Sequence, residues 1–116
     1  MAKFNKFEEI KSWERSQALA FKIYEIFNGN RDFSFKDQIQ RATISISNNI
    51  AEGFERKGNK EFKRFLFIAK GSCGEFRSML YLALKLSYIN KDQFNFLNQE
   101  STEISKMISG LIKVLK

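Results

Sequence analysis

Histidine and proline are absent from the 116-residue chain, and Cys73 is its only cysteine. Zinc fingers, histidine-based triads, carboxylate–histidine di-iron sites and thiol–disulfide redox pairs all need residues that are missing. One cysteine cannot close a disulfide within the chain, and the lack of a cysteine framework fits a reducing cytoplasm. No apolar run approaches the ~18–20 consecutive residues of a membrane span. Charges interrupt Met1 to Lys11 too often for a secretory signal. A phosphate-binding loop is missing too, because Gly58-Asn59-Lys60-Glu61 lacks the glycine-lysine-serine/threonine ending. The expectation is a cytoplasmic, non-membrane protein with no metal and no cofactor.

What is present is an ordinary globular composition, 43% hydrophobic and 28% charged, with a basic imbalance. Twenty Lys and Arg face thirteen Asp and Glu, a formal charge of +7. The length matches one domain over residues 1–116. Excess positive charge favours polyanionic partners, nucleic acid first and an anionic membrane surface second.

Without proline, helices can run long, and the apolar spacing predicts four, roughly 8–28, 35–56, 60–88 and 91–115. Trp13, Ser16, Ala20, Ile23 and Phe27 recur at steps of three and four and define one helical face. Asn28-Gly29-Asn30 supplies residues that tolerate a left-handed stop. Ile39, Ala42, Ile46, Ile50 and Gly53 mark the buried side of the second helix, with Ser34 and Asp37 at capping-box spacing. Asn59 is placed to cap the third helix, whose stripe runs through Phe62, Leu66, Ala69, Cys73, Phe76, Leu80, Ala83 and Leu84. Asn90 and Gln93 read as the cap of the fourth, with Leu97, Ile104, Ile108, Leu111 and Leu115 inside. With no strand-like alternation, the simplest packing is an all-α, antiparallel up-down four-helix bundle.

Two features exceed the needs of an isolated bundle. Thirteen phenylalanines are present, and Phe21, Phe54, Phe67 and Phe96 fall off the main stripes. They either pad the edge of the core or help to bury a subunit interface, where aromatics are enriched. Gly71, Gly74 and Ser78 share a narrow arc of the third helix. Glycine within a helix costs ~1 kcal/mol against alanine, so the pair points to the close approach of another backbone.

Polar residues form two further arcs. Arg41, Ser45, Asn48 and Glu52 make a stripe opposite the apolar side of the second helix, with Glu52 and Arg56 spaced to pair. It is either a solvated face or a polar contact between subunits. On the third helix Lys63, Phe67, Lys70, Arg77 and Tyr81 share an arc, with Lys60 and Arg64 at its edge after Arg56 and Lys57. Residues 56–77 hold seven basic and two acidic side chains. Such groups contact phosphates, and interleaved aromatics stack on exposed bases. Catalysis has little to work with. Cys73 sits in the core stripe, and Glu75, near the apolar border and thus partly shielded, is the one candidate acid.

The run Asp37 to Arg56, DQIQRATISISNNIAEGFER, and the run Glu61 to Phe76, EFKRFLFIAKGSCGEF, resemble the 23S rRNA intervening sequence protein family. The shared pattern is carried by Asp37, Gln38, Ile39, Arg41, Ala42, Ser45, Ile46, Asn49, Ile50, Ala51, Glu52 and Gly53. It continues through Phe62, Phe65, Leu66, Ile68, Ala69, Gly71, Ser72 and Glu75. Ser47 stands where the family often has proline, and Glu55 where a small residue is common. The resemblance implies a four-helix bundle assembled as a homopentamer around a central channel, with no enzymatic activity. It also implies kinship with an accessory protein of diversity-generating retroelements that binds nucleic acid and works with a reverse transcriptase. A ring of five would carry a formal charge of about +35.

The expected function is therefore a non-catalytic homo-oligomer that binds RNA or a ribonucleoprotein. Its binding residues would be Arg56, Lys57, Lys60, Lys63, Arg64, Phe67, Lys70, Arg77 and Tyr81. Subunit contacts would fall on Arg41, Ser45, Asn48, Glu52, Phe54, Gly71, Gly74 and Glu75. The competing reading is a scaffold that docks a nucleic-acid enzyme, its charge serving solubility.

Overall fold

The structure, a computed structural model, describes residues 3–116. After a short 3₁₀ turn at Phe7–Glu9 come four helices: α1 (Lys11–Ile26), α2 (Phe33–Glu55), α3 (Gly58–Lys85) and α4 (Lys91–Val114). No strand occurs among the described residues. The apolar stripes converge on one core, in which Ile23, Phe27, Ile46, Leu66, Cys73, Phe76, Leu80 and Ile104 lose all solvent contact. Burying each large side chain contributes about 1.5–3 kcal/mol, so the stripes are the main source of stability. Arg15 ties α1 to α4, its Nη2 donating to Glu100 Oε2 and Glu103 Oε1, both at 2.8 Å.

Helix ends depart from expectation where local capping competes with periodicity. The first helix starts at Lys11 rather than near residue 8, because the 3₁₀ turn ends in extended backbone at Ile10. It stops at Ile26, and Gly29 does not take positive φ, so no left-handed stop forms there. Asp32, not Ser34, caps α2, accepting from the Phe35 backbone N–H at 3.1 Å. The N-cap of α3 is Lys57 rather than Asn59, and no side chain caps that end. At α4 the anticipated capping box is complete, with Asn90 and Gln93 each bonded to the other's backbone.

The third helix ends at Lys85 in a Schellman turn. Ser87 adopts φ 62°, the Tyr88 N–H reaches the Ala83 carbonyl at 2.9 Å, and the Ser87 N–H reaches that of Leu84 at 3.0 Å. Among the glycines, the close approach within the chain is at Gly53. A Cβ on Gly53 of α2 would stand 2.6 Å from the Phe65 Cβ of α3. Gly71 and Gly74 are exposed and face open space, so their small size serves no contact within the chain.

Candidate nucleic-acid interface

Two residues, Arg56 and Lys57, join α2 to α3, and Gly58 at φ +83° makes so short a link possible. The link brings Arg56, Lys57, Lys60 and Arg64 to one end of the molecule. Two of these four are already engaged. Arg56 donates to Glu52 Oε2 at 2.8 Å, and Arg64 donates through Nε and Nη2 to Glu61, each at 3.2 Å. Both guanidinium groups also lie against the Phe65 ring, 4.9 and 4.6 Å from its centre. The hydrogen bonds from Arg64 hold the Glu61 carboxyl below the usual carboxylate range, and Glu61 in turn raises the Arg64 guanidinium.

The remaining cations follow the flank of α3 that borders α4. Ser101 Oγ of α4 reaches the Cys73 carbonyl at 3.4 Å, and Tyr81 packs edge-on against Phe94 of α4 at 5.0 Å. Lys63, Lys70 and Arg77 lie between those directions at steps of seven residues, about 10 Å apart along the axis. All three are half-buried, with stems along the bundle and charged heads at the surface. Lys57, Lys60, Lys63, Lys70 and Arg77 form no ion pair among the described residues, unlike Arg56 and Arg64. The proposed arc is thus divided into a partly neutralised cluster at the loop and an unpaired row beside α4. Phe67, 57% exposed, points outward between them, whereas one face of Tyr81 is taken by Phe94.

The polar stripe of α2 also divides. Ser45 shares a 2.9 Å hydrogen bond with Ser72 of α3 and accepts another from Asn49 Nδ2, so its hydroxyl is occupied within the chain. Arg41 pairs with Asp37 at 2.9 Å and Glu52 with Arg56, while Asn48 is exposed. Phe54 is half-buried and packs edge-on against Phe62 at 5.8 Å, padding the core edge. Phe21, Phe67 and Phe96 are more than half exposed. Glu75 is exposed rather than partly shielded. Burial pushes the Cys73 thiol up to about 11, outweighing the Ser101 hydrogen bond and the positive charge of Arg77 and Lys70. No group of three metal-ligating side chains occurs among the described residues.

Sequence reasoning missed two features. Phe65 sits under the paired arginines, which periodicity alone reads as core. Ile68, Leu82 and Leu86 are 41–48% exposed on the outer side of α3. The 68–82 spacing, two heptads apart, is the signal that would have found the latter.

Among the described residues no helix is long and apolar enough to cross a membrane. No curated protein matches the chain. A solved structure, described as a protein of unknown function from the S23 ribosomal protein family of Bacteroides thetaiotaomicron, shares the fold with a TM-score of 0.82. Its sequence is 30% identical, and the match covers 89% of this chain and 99% of that one. The 23S rRNA-intervening sequence protein family matches residues 8–110, nearly the full length. With that match over residues 8–110 and four helices in its fold, this chain belongs to the 23S rRNA-intervening sequence protein family.

Proposed function

We propose that this protein is a non-catalytic, cytoplasmic, antiparallel up-down four-helix bundle that assembles as a homopentamer and binds RNA or a ribonucleoprotein. The observation that carries the RNA reading is the unpaired row Lys63, Lys70 and Arg77, continued by Lys57 and Lys60 at the loop end. Cations without internal partners keep their full charge for phosphates, and a row of them tracks a backbone. The assembly reading is supported by the outward side of α3, where Gly71 and Gly74 leave room for a neighbouring backbone beside exposed Ile68 and Leu82. Gly71 is turned about 100° from Lys70 on α3 but Gly74 only about 40°, so a neighbouring backbone at Gly74 would cover part of the row, and the subunit and RNA contacts divide the face between them.

The test is a competition titration with structured 23S rRNA fragments at two salt concentrations, with unrelated duplex DNA as competitor. Binding that persists at the higher salt and resists the competitor supports the reading, and Lys63→Glu with Lys70→Glu should abolish it in a folded protein. Unchanged affinity in that variant refutes the assignment. The exposed Phe67, Ile68, Leu82 and Leu86 favour a second reading, a scaffold for a nucleic-acid enzyme. A protein partner retained after nuclease treatment would establish it.

A further inference from the structure

Where the N-terminal segment crosses the α2–α3 link, a cleft of about 290 Å³ opens at the end of the bundle. Its walls combine three chemistries that sequence spacing does not bring together. Phe54 and Phe62 supply aromatic surface, and Phe54 keeps part of its ring open because it lies at the core edge. Arg56 and Lys3 supply positive charge, and Asn5 and Asn59 supply amides. Gly58 lines the cleft without a side chain that would fill it.

Asn59 explains why the cleft is more than a gap. Its position beside a helix start suits a cap, yet α3 begins one residue earlier, at Gly58, and no side chain caps it. The amide is left without a partner among the described residues, and carries both a donor and an acceptor. Arg56 spends one Nη2 bond on Glu52, leaving other guanidinium N–H groups free. A flat aromatic surface, an amide that matches a polar ring edge and a cation for the attached phosphate are the requirements of a nucleobase on its backbone. The volume lies at the low end of ligand sites, too small for a paired helix.

We infer that this cleft takes one unpaired nucleotide of a single RNA strand, its base against Phe54 and Asn59 and its phosphate at Arg56 and Lys3. The inference rests on the RNA-binding reading and deepens it: the row on α3 holds the backbone, and the cleft selects single-stranded over paired segments.

The experiment uses the full chain and two ten-nucleotide RNAs, one with a central 2-aminopurine and one abasic at that position. The base-bearing strand should bind about tenfold more tightly, because one stacked base is worth about 1–3 kcal/mol, and its fluorescence should change on binding. Asn59→Asp, on the exposed first turn of α3, should erase both differences while preserving binding of the abasic strand through Lys63 and Lys70. Phe54→Leu should do the same, and Asn59→Asp decides the matter if that variant folds poorly. Equal affinity for the two strands, or a fluorescence change that survives Asn59→Asp, overturns the cleft while leaving the RNA reading intact. Displacement of the strand by free adenosine monophosphate, with abasic binding unaffected, reassigns the cleft to mononucleotides. Binding of neither strand removes the RNA reading and the cleft with it.

Discussion

The Tyr88 hydroxyl donates a 2.6 Å hydrogen bond to Asp32 Oδ2, while the other oxygen of the same carboxylate caps α2 at the Phe35 N–H. One side chain thus joins the end of α3 to the start of α2. Tyr88 is held for this by the Schellman turn at Ser87 and by edge-on packing against Phe27 and Phe35. The Tyr88 bond, then the Phe35 N–H, keep the Asp32 carboxyl below its ordinary range, and Asp32 raises the Tyr88 phenol. A lowered carboxyl stabilises the fold above the unfolded-state value of about 4 and loses that contribution as pH falls through the lowered folded value. A raised phenol stabilises below about pH 10 and loses its contribution as pH rises through the raised folded value. Tyr88→Phe should therefore lower the melting temperature by a few degrees at neutral pH, and by less in strong acid. Thermal melts across pH check this, and a constant difference at every pH would contradict it.

Gly53→Ala tests the α2–α3 approach. The added carbon would meet the Phe65 Cβ at 2.6 Å, and that atom cannot swing aside as a side-chain tip can. Overpacking of this kind costs about 1–3 kcal/mol, against a gain of about 1 kcal/mol from replacing a helical glycine. The variant should be less stable by up to about 2 kcal/mol in chemical denaturation. A stabilised variant would mean that the helices separate freely.

Cys73 should behave as a core residue toward thiol reagents. With the thiol at about 11, only about one molecule in a thousand carries a thiolate at pH 8, and the sulfur is fully buried. Labelling by a disulfide reagent should be slow in native protein and rapid once denaturant passes the unfolding midpoint. Stoichiometric labelling of native protein within minutes would contradict this.

How much of this was legible beforehand depended on the kind of information each feature needs. Core residues such as Ile46, Leu66 and Ile104 follow from periodicity, because burial is a property of a helix face. The Asn90–Gln93 box was readable because both partners lie within one turn. Asp32 was missed as a cap because Ser34 and Asp37 offer a competing capping-box spacing, and its bond to Tyr88, 56 residues away, was beyond local reading. Gly53 was legible as part of the buried side of α2 but not as a close approach, and Gly71 and Gly74 were not assignable to this chain or a neighbour, because a glycine's sequence context does not say which neighbour it faces. The basic arc was legible as composition. The Glu52–Arg56 pair was legible from its four-residue spacing, whereas the pairing of Arg64 with Glu61 and the seating of both guanidinium groups on Phe65 were not, since they depend on rotamers and on packing.

Gly71 and Gly74 give a sign that separates a solvated face from a subunit contact. Alanine at each meets open space within the chain, so each replacement should stabilise an isolated bundle by about 0.5–1 kcal/mol. If the face packs against another copy, the same methyl groups hold the subunits apart. The double variant should then sediment as a smaller species than wild type while its monomer melts higher. Unchanged assembly with a higher melting temperature would place the contact on another face.

The unpaired row makes a different claim about salt. Each phosphate contact on a single strand contributes about −0.7 to the slope of log affinity against log salt. Lys63→Gln with Lys70→Gln removes two free cations, so the slope should flatten by about 1.4. Arg64→Gln removes a guanidinium already held by Glu61 and stacked on Phe65, and it leaves Glu61 unpaired. Its effect on the slope should be smaller than that of either lysine, with a larger share of the loss in protein stability. Titrations of the double lysine variant and of Lys63→Gln, Lys70→Gln and Arg64→Gln singly, at four or more salt concentrations, decide it. Equal slope changes for Arg64 and Lys70 would mean that the ion pair opens on binding and that the whole arc acts as one surface.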